Sequence, residues 1–153
     1  MEKEFLSWDR IADLIDILSQ QLPHDFDAIL VITRGGMVPA CLISEKLDIR
    51  NVMAAAVMFY TGVGVTLDEP KFLQFPADPL LLGRRILIID DVWDSGRTVA
   101  SVKQRVLEAG GIPTVAVIHF KPGRSKVQGR PDYYAAETDN WIVYPWDPAA
   151  ERE

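Results

Sequence analysis

Apolar residues recur along the chain in two periods, and their alternation sets out the expected elements. Ile11, Leu14, Ile15, Leu18 and Leu22 fall at helical spacing between Asp9 and Leu22, with Ser7 or Asp9 available to cap the start and Pro23 just past the end. Ala28 to Ile32 is an unbroken apolar run, as a strand covered on both faces requires. It stops at Thr33-Arg34-Gly35-Gly36. Val38 to Leu47 then predicts a short helix whose Pro39 sits in the first turn, where no helical N–H partner is lost. Asn51 to Tyr60 reads as a strand, Ile86 to Ile89 as the clearest buried strand, and Val99, Val102, Val106 and Leu107 as a helix ended by Gly110-Gly111. Thr114 to Phe120 predicts another strand, and Tyr133 to Ala136 and Trp141 to Tyr144 two short ones near the C-terminus.

Strands alternating with helices imply right-handed parallel crossovers, hence an α/β fold with an open, mainly parallel twisted sheet flanked by helices. No repeat, low-complexity tract or linker divides residues 1–153, which are expected to form a single domain. Ligands of such sheets bind at the carboxyl ends of the strands, and the unusual turns after Ile32 and Ile89 both fall there. The stretch 61–82 holds two glycines, three prolines and mixed charge, which predicts a long mobile loop over the site with at most a weak hairpin in it.

Composition narrows the classes. Of 153 residues 48% are hydrophobic and 25% charged, the profile of a folded globular chain able to bury a core. A net charge of -6 opposes a surface built over its whole extent for nucleic acid, so a polyanion site has to be local. Cys41 is the only cysteine, which excludes an intrachain disulfide and Cys-rich zinc patterns and fits a cytoplasmic setting. Met1-Glu2-Lys3-Glu4 lacks the apolar run of a signal peptide, and no stretch approaches the ~18 apolar residues of a membrane span.

The densest chemistry lies between Ile86 and Val99. Backbone N–H groups of Asp94, Ser95, Gly96, Arg97 and Thr98 can converge on one anion at a helix start, where unpaired donors and the helix dipole favour negative charge. Gly96 permits a close approach, and the Ser95 and Thr98 hydroxyls add donors. Asp90 and Asp91 would repel that anion, so they address a hydroxyl-bearing part of the ligand, for which a ribose diol is the natural partner. Both can meet one sugar only if the chain leaves the strand regime near Asp91. Neither the P-loop pattern nor G-x-G-x-x-G occurs.

Ile86 to Val99 resembles the phosphoribosyl-diphosphate signature of the type I phosphoribosyltransferases, with Trp93 bulkier than the usual aliphatic residue and Arg97 in place of a frequent Gly or Lys. Trp93 is expected to pack under the loop. The resemblance implies that Asp90 and Asp91 hold the ribose hydroxyls, that Asp91 helps place magnesium, and that residues 94–98 bind the 5-phosphate. Thr33-Arg34-Gly35-Gly36 matches the family's diphosphate loop, in which Arg34 supports the leaving group beside Gly35 and Gly36, and it suggests a strained or cis peptide at Arg34-Gly35. Lys71 would be the central cation of the closing segment 61–82.

Nearly the whole chain is similar to the short bacterial and archaeal enzymes of xanthine, guanine and hypoxanthine salvage, through Ser7-Trp8-Asp9, Arg34-Gly35-Gly36, Lys121-Pro122, Trp141-Ile142 and Pro145-Trp146-Asp147. By this resemblance residues 119–147 bind the base. Lys121 meets the purine 6-oxygen, Trp141 stacks on the ring, Ile142 contributes backbone contacts, and Asp94 approaches N7 as proton acceptor or donor. The expected activity moves a 5-phosphoribosyl group from its 1-diphosphate to a 6-oxopurine with magnesium, in a homodimer or homotetramer. His24 and His119 make no metal pair by spacing, and His119 is expected in the interior or at the sheet edge. The competing expectation is a regulator of the same fold that senses nucleotides and binds a protein or RNA, with Lys121, Arg124, Lys126 and Arg130 as a local basic patch.

Overall fold

Strands and helices alternate as the apolar pattern requires, in a computed structural model that describes residues 2–62 and 65–151. The strands are β1 (Lys3–Phe5), β2 (Ala28–Ile32), β3 (Val52–Gly62), β4 (Val65–Gln74), β5 (Arg85–Trp93), β6 (Ile112–Phe120), β7 (Tyr133–Glu137) and β8 (Trp141–Val143). The helices are α1 (Trp8–Gln21), α2 (Met37–Leu47) and α3 (Arg97–Glu108). Six strands form one sheet in the order β4-β3-β2-β5-β6-β7, parallel except for the antiparallel β3–β4 pair at its edge. β1 and β8 pair in parallel as a small separate sheet.

Period-two alternation explains why the central strands are apolar without interruption. Ile29 and Val31, Leu87 and Ile89, and Ala116 and Ile118 pack on one side with Ile11, Leu14, Ile15 and Leu18 of α1 and Ile43 of α2. Leu30, Ile86, Ile88, Val115 and Val117 pack on the other with Val99, Val102 and Val106 of α3. Of the two possible caps for α1, Ser7 serves, its hydroxyl accepting from Arg10 N–H at 3.1 Å.

Three expectations need correction. The stretch 61–82 is in large part β4, paired back onto β3, followed by a short 3-10 turn at Asp78–Leu80; positions 63 and 64 of that stretch lie outside the described residues. Pairing supplies the backbone partners that the Gly and Pro content concealed. The chain does not leave the strand near Asp91 either, because β5 continues in constant register with β6 through Asp90↔Val117 and Val92↔His119 to Trp93↔Phe120. The described β2–β5 pairing ends at Val31↔Ile89, so residues 90–93 project beyond β2 and their free edge borders the turn at Thr33–Gly36. Finally, the cis peptide bond lies at Thr33-Arg34, one residue before the expected position. β1 was not anticipated: it is three residues long and is recruited by β8, a partner far away in sequence.

Candidate active site

Asp90 and Asp91 sit on the overhanging end of β5 and follow its alternation. Asp90 continues the α3 side and Asp91 the side of α1 and α2, yet both border a cavity of about 220 Å³ shared with Ser95, Gly96 and Thr98. No bend is needed, because past the end of β2 the carboxylates can reach around the sheet edge. Asp91 N–H donates to Asp90 Oδ1 and Val92 N–H to Asp91 Oδ1, each at 2.8 Å, which orients both side chains. Burial, then the like charge of Asp91, holds the Asp90 carboxyl well above the usual carboxylate range. Asp91 is also raised, mainly by burial, with a contribution from the charge of Asp147.

The turn after β5 leads directly into the N-terminus of α3. Gly96 precedes α3 in the left-handed region at φ 84°, and a Cβ there would run into the Trp93 indole. Trp93 is buried beneath this turn, its Nε1–H donating to Ser125 Oγ at 3.1 Å, as a packing role requires. Ser95 Oγ accepts from Arg97 N–H at 3.3 Å. The Arg97 guanidinium lies 4.3 Å over the Phe59 ring, in a groove between α3 and the β3–β4 pair, so its side chain does not border the cavity at Asp90.

Arg34 and Gly35 border a second cavity of about 530 Å³ with Asp91, Tyr144, Trp146 and Asp147. Gly35 packs so closely on the Asp91 carboxylate that any Cβ would collide with it. The two cavities therefore meet at Asp91, between the Arg34 turn and the head of α3. Gly36 N–H donates to Ile32 O at 2.9 Å, closing the turn onto β2.

Tyr144, Trp146 and Asp147 belong to the stretch 119–147 expected to bind the base, yet they border the cavity of Arg34. Tyr144 and Trp146 stack at 4.7 Å with 7° between their planes, and Trp8 adds a tilted contact at 5.9 Å. Tyr144 OH donates to the Asp91 carbonyl at 3.2 Å, and its oxygen lies 2.9 Å from His119 Nδ1. His119 is in the interior, where burial first, and then the charges of Arg10 and Lys121, lowers its pKa to about 4. The segment Pro145-Trp146-Asp147 was the available signal, but only folding brings it to Arg34.

Beyond the end of β5, Asp94, Lys121 and Trp141 come together. Lys121 Nζ lies 3.3 Å from Asp94 Oδ2 and 5.9 Å over the Trp141 ring. Lys121 is 3% exposed, against the solvated role common for a lysine at a strand end, while Trp141 is 51% exposed and presents its indole to solvent. Partial burial raises the Asp94 carboxyl, but Arg124 and Lys121 outweigh this and hold it below the usual range, so it is an ionised acceptor. Ile142 is buried on β8 and paired with Glu4. Lys71 lies exposed on β4 opposite Met58 and borders neither cavity at Asp91. The basic patch is mostly engaged: Lys121 and Arg124 turn to Asp94, and Arg130 bonds Tyr134 OH at 2.7 Å and lies 5.6 Å over Phe120.

Magnesium is tested by the donor set. Asp91, with Asp147 bordering the same cavity, offers hard oxygen donors whose charge wants compensation, and among the described residues no cluster of three or more protein ligands forms. The two carboxylates at one cavity fit an ion that takes one or two carboxylates and leaves its remaining positions to water and phosphate oxygens. No helix among the described residues is long and apolar enough to cross a membrane.

Comparison with known proteins places this geometry. Residues 2–153 match the family model described as the phosphoribosyl transferase domain. A xanthine-guanine phosphoribosyltransferase of Roseobacter denitrificans is 37% identical over 165 aligned positions, covering 98% of this chain and 89% of the relative. Among solved structures, a purine phosphoribosyltransferase from Pyrococcus horikoshii has a TM-score of 0.84 at 32% identity, covering 96% of this chain and 95% of that one. A hypothetical protein from Neisseria gonorrhoeae with bound ppGpp has a TM-score of 0.83 at 28% identity, covering 95% and 89%. With two cavities joined at an acidic strand end, a glycine turn at the head of α3 and matches of this extent, the chain belongs to the phosphoribosyl transferase family.

Proposed function

We propose that the chain transfers the 5-phosphoribosyl group of 5-phosphoribosyl 1-diphosphate to a 6-oxopurine, with guanine, xanthine and hypoxanthine as the bases to test. The observation that carries this reading is the shared cavity of Asp90, Asp91, Ser95, Gly96 and Thr98, where acids suited to a diol adjoin donors suited to a phosphate. Asp90 and Asp91 hold the ribose hydroxyls, and the turn 94–98 holds the 5-phosphate. Arg34, with the backbone of Gly35 and Gly36, receives the diphosphate in the larger cavity. Asp91, with Asp147 bordering the same cavity, would hold magnesium, which when bound neutralises diphosphate charge. Trp141 stacks on the base, Ile142 gives it backbone contacts, and Lys121 donates to its 6-oxygen.

In the reaction a purine ring nitrogen forms a bond to C1 of the ribose as the C1–O bond to diphosphate breaks, the bonding pair leaving with diphosphate. Asp94 accepts the N–H at the base's N7 and takes up the proton that the base loses. Most of the rate enhancement comes from alignment and from charge stabilisation at the leaving group. Lys71 reaches the diphosphate only if the β3–β4 pair moves toward Asp91. Because a similar protein from Neisseria gonorrhoeae carries bound ppGpp, guanosine tetraphosphate is a ligand to test as a competitor of the donor.

Incubation of the purified chain with donor, magnesium and each base separately tests the reading by nucleotide and diphosphate release. Formation of a nucleoside monophosphate from at least one 6-oxopurine is expected. Donor and base recovered intact in every case would end it.

A further inference from the structure

Asp94 is held by two cations of the loop that follows β6. Lys121 Nζ approaches its Oδ2 at 3.3 Å, and Arg124 Nε donates to its Oδ1 at 2.7 Å. The two partners differ in setting. The Lys121 side chain is 4% exposed and that of Arg124 41%, so Lys121 occupies the space beside Trp141 while Arg124 closes the pair from the solvent side.

Arg124 is held in place by its loop. On one side of it Lys121 N–H donates to Trp93 O at 3.0 Å; on the other, Lys126 N–H donates to Ser95 O at 2.8 Å. The Trp93 indole N–H reaches Ser125 Oγ at 3.1 Å, and Gly123 N–H donates to Asp139 Oδ1 at 3.0 Å. The bonds to Trp93 and Ser95 tie the loop to the segment that carries Asp94, and the bond to Asp139 anchors it to the connection between β7 and β8, so the guanidinium is directed inward.

An incoming base asks Lys121 and Asp94 for different things. An ammonium that serves the 6-oxygen weakens its bond to Asp94 at the moment Asp94 has to accept the base N–H. Arg124 does not have to move. Its planar guanidinium cannot lose its charge and donates in a fixed direction, which suits it to hold one carboxylate oxygen while the other is offered to the ligand. Resting on the purine-transfer reading above, we propose that Arg124 is a positioning residue for base capture, retaining Asp94 as an oriented acceptor while Lys121 turns to the base.

The test compares wild type with Arg124→Gln and Arg124→Lys in steady-state kinetics with hypoxanthine and, separately, with the sugar diphosphate varied. Because the side chain is partly exposed, both variants are expected to melt close to wild type, which the thermal scan checks. Arg124→Gln raises the KM for hypoxanthine about tenfold, the size of one lost charge-assisted hydrogen bond, and leaves the KM for the donor within about twofold. Arg124→Lys recovers part of the loss, because a cation returns without the fixed fork.

A second readout is the acid limb of kcat/KM for the base. Lys121 and Arg124 are the cations that face Asp94, and Asp139 sits beside the same loop at Gly123. Withdrawing Arg124 lets the Asp94 carboxyl rise, so the limb moves to higher pH in the Gln variant. An unchanged base KM, or equal increases in the KM of base and donor with an unmoved acid limb, overturns the assignment. Wild-type protein that forms no nucleotide removes the purine-transfer reading itself, whereas active wild type with kinetically indistinguishable variants removes only the role of Arg124.

Discussion

Asp90 and Asp91 are carboxyls raised by burial, with like charges adding to the effect, whereas three residues further on Asp94 is held low by Lys121 and Arg124. The first pair borders two cavities and keeps an electrostatic demand that sugar hydroxyls and a cation can answer. The second group has already met its demand internally. On the proposed reading, binding of the sugar answers that demand, while binding of the base exchanges part of an existing ion pair for hydrogen bonds to a neutral ligand, so the same kind of substitution should have different consequences in the two halves.

The largest effect is expected at Asp91, the residue common to both cavities. Asp91→Asn should lower turnover by roughly 10²–10³-fold, with an unchanged circular dichroism spectrum, as loss of a preorganised charge does. Activity within a few-fold of wild type would break the distinction between the halves. On the base side, Lys121→Met should raise the KM of the base by about tenfold or more and leave that of the donor nearly unchanged, since a buried acceptor on the ligand loses its donor. A matching rise in donor KM would show that the halves are not separable.

Stability sharpens the contrast further. A carboxyl raised in the folded state binds its proton more tightly there than in the unfolded chain, so its ionisation costs stability as pH rises from the unfolded value near 4 toward the raised one. Asp90→Asn should therefore increase the Tm of the ligand-free protein at pH 7 by roughly 3 °C while reducing nucleotide formation. A lower Tm would mean that Asp90 is satisfied without ligand. His119 has the opposite sign. Its imidazole is buried neutral at a pKa of about 4 against an ordinary 6.5, so the stability it contributes is complete above about 6.5 and is lost as pH falls toward 4. Denaturant unfolding across that window should show a slope, about 3 kcal/mol in total, that flattens in His119→Gln.

Much of the fold could be read from the chain because β2, β5 and β6 are buried on both faces and helices α1 and α3 are amphipathic, so each carries its period openly. Apart from the displaced cis peptide bond, the misreadings share a cause. The Gly- and Pro-containing stretch after Gly62 has no strong period of its own, and it became strand only because β3 offered it an edge. Three-residue β1 likewise depends on β8, and the length of β5 past Ile89 depends on β6. In each case the partner's hydrogen bonds outweighed weak local preference.

The strand, acidic pair, glycine turn and helix start at Ile86 to Val99 were determined by the sequence alone, because neighbouring residues share one backbone path and cannot be rearranged independently. Arg34 and Asp147 on one cavity, Tyr144 hydrogen-bonded to the Asp91 carbonyl, and Asp94 between Lys121 and Arg124 were decided only by the tertiary structure. These partners lie far apart along the chain, and it takes the stacking of the sheet, its helices and the C-terminal aromatic cluster to fix the few ångströms on which their charges interact.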